Sequence, residues 1–305
     1  KIDFNINISE SDKFYVEKIN VIGNFNTLEE VIRNNLIIDE GDPFNEILFN
    51  KSVNNIQSLG IFKKVKTDIK DGSNNSFKEI DINVEERPTG EISVTAGFGT
   101  SGETIGAGIK ENNFLGKGIK LNTNFEVTAD SIKGQFIYAK PNFNYSDNTL
   151  FTSIKSSTSD FLTDSGYKTS EIGFSLGTKF EQFQNIFLSP EIDFLIEDLE
   201  TTSSASNILK KQEGSYTDLY FNYSINQDLR DNKFRTEDGY VTTFSQELPL
   251  VSDNSEISNA FEITNYRKLS STSDMVGKVS FFGKTITGLS DDVRISKRLN
   301  VPSYR

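Results

Sequence analysis

The sequence predicts a chain in two parts: a small α+β domain ordered β-α-α-β-β, then an all-β antiparallel transmembrane β-barrel. Three observations predict it. Residues 12–88 mix helical and strand spacing, whereas period two holds almost throughout 89–285. No run approaches the ~18 apolar residues of a spanning helix. Yet 25 Phe and 10 Tyr, with no Cys to staple a small fold, supply ample apolar surface for a packed or lipid-facing structure.

The first part reads element by element. FYVEKINVIGN (14–24) is a strand ending in a Gly-Asn turn. Thr27 to Glu30, T-L-E-E, has the form of a capping box, with Leu28, Val31, Ile32 and Leu36 at helical spacing behind it. In GDPF (41–44), Asp42 is expected at an N-cap and Pro43 at the first helical position. Phe44, Ile47, Leu48, Ile56 and Leu59 make the apolar stripe, and Gly60 is the C-terminal stop. FKKVKTDIK (62–70) and FKEIDINVEE (77–86) complete the domain as two strands around DGSNN.

The second part divides into eleven alternating segments, near 91–99, 103–111, 118–128, 131–140, 148–159, 167–180, 184–198, 214–228, 239–250, 256–269 and 273–286. In 119–127, Ile119, Leu121, Phe125 and Val127 oppose Lys120, Asn122, Asn124 and Glu126. A sandwich would also alternate. The segments are long enough for a tilted strand to cross a bilayer, and their polar faces carry charge, as an aqueous lumen allows. Long and compact connections are also expected to alternate, with LETTSSASNILKKQEG among the long ones and EQFQ among the compact ones. Eleven is odd, whereas single-chain barrels close with even numbers. The expectation is therefore a truncated barrel.

Several chemistries are excluded. With no His and no Cys, Ser-His-Asp, Cys-His and His- or thiolate-metal centres cannot form. A net charge of −12 argues against nucleic acid as a partner. GFGTSG (97–102) matches the dinucleotide fingerprint, but ETIGAGIKE behind it alternates as a strand where the fingerprint needs a helix. LGKG (115–118) lacks the first P-loop glycine, since residue 111 is Glu, and has Gly118 where Ser or Thr should stand. Asp291-Asp292 reads as a solvated pair. No catalytic residue, metal site or cofactor is expected.

Residues 12–88 resemble a POTRA domain through Gly23-Asn24, Gly41-Asp42-Pro43-Phe44 and Leu59-Gly60-Ile61-Phe62. On this resemblance residues 1–10 are the last strand of a preceding POTRA, 11–88 the membrane-proximal POTRA and 89–305 the N-terminal part of the barrel. The whole chain resembles the BamA family of outer-membrane β-barrel assembly factors. The carrying residues are Arg87-Pro88-Thr89-Gly90, Asn112-Asn113-Phe114-Leu115-Gly116-Lys117-Gly118, Lys140-Pro141-Asn142-Phe143 and Asp228 to Gly239. The resemblance implies about eleven of an expected sixteen strands, and a bacterial outer-membrane location with the POTRA in the periplasm. It implies an insertase and not an enzyme, with no cofactor. Its partners would be unfolded outer-membrane protein clients, accessory outer-membrane lipoproteins and the lipid bilayer. Two candidate sites follow. One is the POTRA edge strand, Lys63, Lys64, Val65, Lys66, Thr67, Asp68 and Ile69, binding clients by β-augmentation. The other is a lateral gate strand. In it Ile92, Val94, Ala96 and Phe98 are expected toward lipid, and Ser93, Thr95, Gly97 and Gly99 inward. Relatives of the TamA type, or two-partner-secretion transporters, remain the alternative reading.

Overall fold

Apolar residues at period two on one strand and at period 3.6 on two helices build the first unit. The computed structural model describes residues 13–99, 102–232, 236–253, 255–270, 274–289 and 292–299, so the strand expected over 1–10 lies outside the described residues. The first compact unit is Lys1–Gly90 with Glu111–Ile119. It contains β1 (Tyr15–Ile22), α1 (Glu29–Arg33), α2 (Glu46–Ser58), β2 (Phe62–Asp71) and β3 (Phe77–Glu86), in the expected β-α-α-β-β order. The sheet order is β1-β3-β2, with β1 parallel and β2 antiparallel to β3. Ile80, Ile82 and Val84 of the central strand lie on one face. They form one buried core with Val16 and Ile19 of β1, Val31 and Ile32 of α1, and Phe49 and Ile56 of α2.

Two caps differ from the sequence reading. Thr27 does not cap α1: the helix begins after Leu28 with no side-chain cap. The Thr27 N–H instead donates to Glu86 Oε1 at 2.7 Å, and its hydroxyl accepts from Asn113 Nδ2 at 2.9 Å. Tertiary partners outcompete the local box. Likewise Asp42 and Pro43 do not start α2. Pro43 bridges Tyr15 of β1, Asp42 Oδ2 accepts from the Asp39 N–H, and the N-cap is Asn45, whose side chain accepts from the Leu48 N–H at 3.1 Å. Gly60, at φ +70°, does stop the helix in the left-handed conformation that glycine adopts most cheaply.

The second unit, residues 91–110 and 120–305, carries one eleven-stranded sheet. Its strands are β4 (Gly90–Gly99), β5 (Gly102–Phe114), β6 (Ile119–Thr128), β7 (Ser131–Lys140), β8 (Thr149–Phe161) and β9 (Tyr167–Phe183). They continue with β10 (Ile186–Thr201), β11 (Gly214–Asp228), β12 (Gly239–Val251), β13 (Glu256–Lys268) and β14 (Val276–Gly288). Each strand lies beside its sequence neighbour, so the sheet is a meander with β4 and β14 at its two edges. Pairing is antiparallel through the registers of β6 to β14. The expected alternation of long and compact connections holds only loosely. The segment 202–213 is long at one end of the sheet, but 141–148 and 229–238 are long at the other.

The faces of this sheet are inverted relative to a soluble protein. On β9 and β10 the exposed positions are Ile172, Phe174, Leu176, Ile192, Phe194 and Ile196, while the alternate positions Ser175, Asp193 and Glu197 are buried. Apolar side chains outward and polar ones inward is the pattern of a barrel wall in lipid. No helix among the described residues is long and apolar enough to cross a membrane, which says nothing about strands.

Candidate functional site

A strand edge binds another chain only if its own N–H and C=O groups are free. In the first unit the outer edge of β1 is occupied. The Val16 N–H donates to the Asp42 carbonyl at 2.9 Å, the Gly41 N–H to the Val16 carbonyl at 2.7 Å, and the Ile19 N–H to Glu40 Oε1 at 2.9 Å. β2 pairs with β3 on one side and, among the described residues, has no second neighbour in its sheet. Of the predicted edge residues, Lys63, Lys64, Lys66, Thr67, Asp68 and Ile69 are exposed and Val65 is half-buried against the core. Lys63 pairs with Glu85 of β3 at 2.8 Å, and the hydrogen bond raises the lysine and lowers the glutamate from their ordinary ranges. Register puts Val65, Thr67 and Ile69 opposite Val84, Ile82 and Ile80, so these three share the helix-facing side. Lys64, Lys66 and Asp68 stand on the solvent side.

Sequence reading treated the NNFLGKG turn as a family marker without a role. In the structure it is part of the first unit. The Gly116 carbonyl accepts the Leu28 N–H at 2.8 Å, at the start of α1. Asn113 Oδ1 accepts the Gly118 N–H at 2.8 Å while its Nδ2 donates to Thr27. Gly116 has φ +70°, and a Cβ there would lie 1.9 Å from the Asn26 carbonyl oxygen. Gly118, at φ +65°, sits over Val31. Glu86 completes the cluster. Its carboxylate accepts from Asn26 and Thr27, and although burial pushes its pKa up, these hydrogen bonds prevail and hold it below the ordinary glutamate value.

The predicted gate residues all lie on β4, an edge strand of the large sheet. Ile92, Val94 and Phe98 are 80%, 78% and 87% exposed, more than any apolar residue of the central strands. Ser93 and Thr95 face the other way. A Cβ on Gly108 would meet Ser93 Oγ at 2.7 Å, and one on Gly106 would meet Thr95 Cβ at 3.7 Å. A Cβ on Gly97 would meet nothing within 4 Å, so no close approach requires that glycine. Thr100 and Ser101 of the GFGTSG stretch lie outside the described residues; Gly102 opens β5, a strand. The glycine-rich match therefore has no helix to hold a phosphate.

On the inner face the sequence reading missed a charge cluster. Lys155 lies 3.0 Å from Asp193 and 3.6 Å from Glu171. Arg294, which follows β14, is fully buried and pairs with Asp218, with Glu197 at 3.1 Å and with Glu256 at 3.6 Å. Strand parity alone turns these three carboxylates inward; their common partner could not be read, because DDVRISKRLN has no periodicity. No cluster of carboxylates among the described residues is arranged to hold a metal ion.

Comparison with known proteins agrees with this geometry. An Omp85 superfamily domain model matches residues 113–301, and a POTRA model, described as a surface antigen variable number repeat, matches residues 14–87. The outer membrane protein assembly factor BamA of Neisseria meningitidis serogroup B is 26% identical over 144 residues, 47% of this chain and 18% of that protein. The crystal structure of BamA from Haemophilus ducreyi lacking POTRA domains 1–3 superposes with a TM-score of 0.72 at 20% identity, over 91% of this chain and 56% of that one. CdiB from Acinetobacter baumannii superposes with a TM-score of 0.56 at 12% identity, over 95% of this chain and 54% of that one. The chain thus spans about half the length of these solved relatives and less of the curated one. With a POTRA domain preceding a lipid-facing meander sheet, and the superfamily model matching most of its length, the chain belongs to the Omp85 superfamily as a BamA-like member.

Proposed function

We propose that the chain serves an outer-membrane protein insertase, with its POTRA domain in the periplasm and its sheet in the bilayer. Unfolded clients are recruited along β2 by main-chain pairing, which gives affinity with little sequence demand. They then add their strands to β4, the lateral gate. The observation that carries this reading is a POTRA sheet with an open β2 edge followed by a meander sheet whose apolar side chains face outward, in a chain of the Omp85 superfamily; the meander begins at β4, whose edge a client strand would template on. An unpaired backbone group in hydrocarbon costs several kcal/mol, so templating on such an edge lowers the client's free energy step by step without ATP. No covalent chemistry or cofactor is required. Accessory lipoproteins are proposed partners on the family likeness alone.

The test is depletion of the full-length protein followed by quantitation of unrelated outer-membrane barrels. A broad fall in their levels is expected; unchanged levels would sink the reading. At the gate, a disulfide from a cysteine at Gly97 to the last barrel strand should halt assembly, and normal growth with that crosslink fully formed would refute the gate. The likeness to CdiB supports a second reading, a pore of the two-partner-secretion or TamA type. Depletion would then abolish export of one dedicated substrate and spare the general barrel population.

A further inference from the structure

One exposed apolar side chain needs no explanation, whereas several held together do. Phe25, in the loop between β1 and α1, is 93% exposed, more than any other large apolar residue among those described. The loop around it is pinned on both sides. Asn24 Nδ2 donates to the Thr27 carbonyl at 3.0 Å, and the Asn26 N–H and side-chain amide both donate to Glu86. The same loop packs on the β5–β6 turn. The Asn26 carbonyl leaves no room for a Cβ on Gly116, and Leu28 donates its N–H to the Gly116 carbonyl. Phe25 and Leu115 therefore flank one contact, each a single residue from it. Leu115 is 69% exposed, and Leu28 and Phe114 next to them are exposed as well.

The backbone at Leu115 points the same way. Its φ is +57°, in the left-handed region, where the other non-glycine residues among those described are Asn142, Asn144 and Asn185. Asparagine enters that region readily and leucine does not, so a leucine there is strained. With its side chain largely in the open, the strain is not offset by core packing, and such outliers mark function more often than fold. The turn that carries Leu115 joins β5 to β6, and Ile105 and Ile109 of β5 are exposed on the outward face. It is thus a direct continuation of strands in the lipid-facing wall. Aromatic and aliphatic groups at such a place suit the bilayer interface, where they sink partway into the boundary between headgroups and acyl chains. We propose that Phe25, Leu28, Phe114 and Leu115 form a lipid-contacting patch that seats this corner of the POTRA domain in the bilayer interface. A barrel's aromatic girdle is carried on its own strands; here Phe25 and Leu28 come from the POTRA loop instead. This contact rests on the proposed placement of the sheet in the bilayer and goes beyond it, since no client is involved.

The experiment uses full-length protein in a cysteine-free background, with one NBD-labelled cysteine at a time, in phosphatidylcholine vesicles whose acyl chains carry bromine. Phe174→Cys, on the outward face of β9, marks lipid. Asn75→Cys marks water: it lies in the β2–β3 turn, separated from Glu86 by the ten-residue length of β3, about 30 Å. Labels at Phe25→Cys and Leu115→Cys should lose at least about half as much emission as the Phe174 label, and the Asn75 label less than about a tenth, as interfacial and aqueous positions do. Leu115→Asn keeps the left-handed turn and removes the apolar group, so with it quenching of the Phe25→Cys label should fall at least about twofold. Heat-modifiable migration on gels checks that each variant forms a barrel, and the single labels decide alone if Leu115→Asn does not fold. Quenching at Phe174 without quenching at Phe25 and Leu115 would overturn the contact and leave the bilayer placement standing. No quenching at Phe174 would remove both. Labels at Phe25 and Leu115 shielded from aqueous iodide as well as from brominated lipid would mean that protein covers the patch, and the proposal would fall. It would fall equally if Asn75 were quenched as strongly, or if a folded Leu115→Asn protein left the Phe25 label unchanged.

Discussion

Glu86 shows how much one side chain can organise. It ends β3, yet its two oxygens collect the N–H groups of Asn26 and Thr27 and the Asn26 side chain, at 2.7–3.2 Å. Burial opposes the charge, and the hydrogen bonds outweigh it, so the folded pKa lies below the ordinary 4.5. A depressed carboxylate stabilises the fold above its unfolded pKa and loses that contribution as pH falls through the folded value. Glu86→Gln should therefore cost about 1 kcal/mol near neutrality, at the low end for charged hydrogen bonds because the site is partly exposed. Thermal unfolding curves of the two proteins should converge below the glutamate range, whereas a constant gap down to acid pH would refute the assignment. Gly116 supplies a second prediction at this scale. An Ala there combines a left-handed φ with a clash against a backbone carbonyl, so it should cost upward of about 1 kcal/mol. Hydrogen exchange at the Leu28 amide, which donates to Gly116, should accelerate in the variant; unchanged protection would mean that the turn yields without loss.

At the scale of elements, the open edge of β2 makes a directional prediction. An extended peptide of alternating apolar and acidic residues should perturb the amide resonances of Lys63–Ile69 and leave those of Tyr15–Ile22 unmoved, because residues 40–44 already occupy the β1 edge. Shifts on β1 instead would disqualify β2 as the recruiting strand. Peptide bearing acids on the solvent side should bind more weakly as salt rises, through Lys64 and Lys66. Elements were the most legible part of the chain. The strands at 62–71 and 77–86 and the glycine stop at residue 60 follow from local period and local conformational preference. The capping reading failed at Thr27 and Asp42 for one reason: both residues have partners distant in sequence, and a box motif weighs only neighbours. The role of NNFLGKG was illegible on the same ground. Its glycines answer to Asn26 and Val31, more than 80 positions earlier.

For the whole molecule, the inverted faces of the sheet are what make it a membrane protein, and they were readable because strand parity fixes a face without knowing the partner. Parity says which way Glu197, Asp218 and Glu256 point; it cannot say that Arg294, outside any periodic segment, comes back to meet them. The same parity yields a paired test. Phe174, midway along β9 and 48% exposed, faces lipid, and its cross-strand neighbour Ile154 is exposed on the same face. Ser157 faces inward, opposite Glu171 in the register. Phe174→Lys should destabilise the folded full-length protein in vesicles by about 2–4 kcal/mol, the cost of a lysine near the bilayer midplane. Ser157→Lys adds the same charge on the inner face between Lys133 and Glu171 in the register, where repulsion and attraction offset, and should be within about 0.5 kcal/mol of neutral. Reversible urea unfolding in thin-lipid vesicles measures both. Equal penalties would mean that the two faces see the same solvent, and the lipid-facing assignment of the entire sheet, with the exposed edge of β4 that depends on it, would fall together.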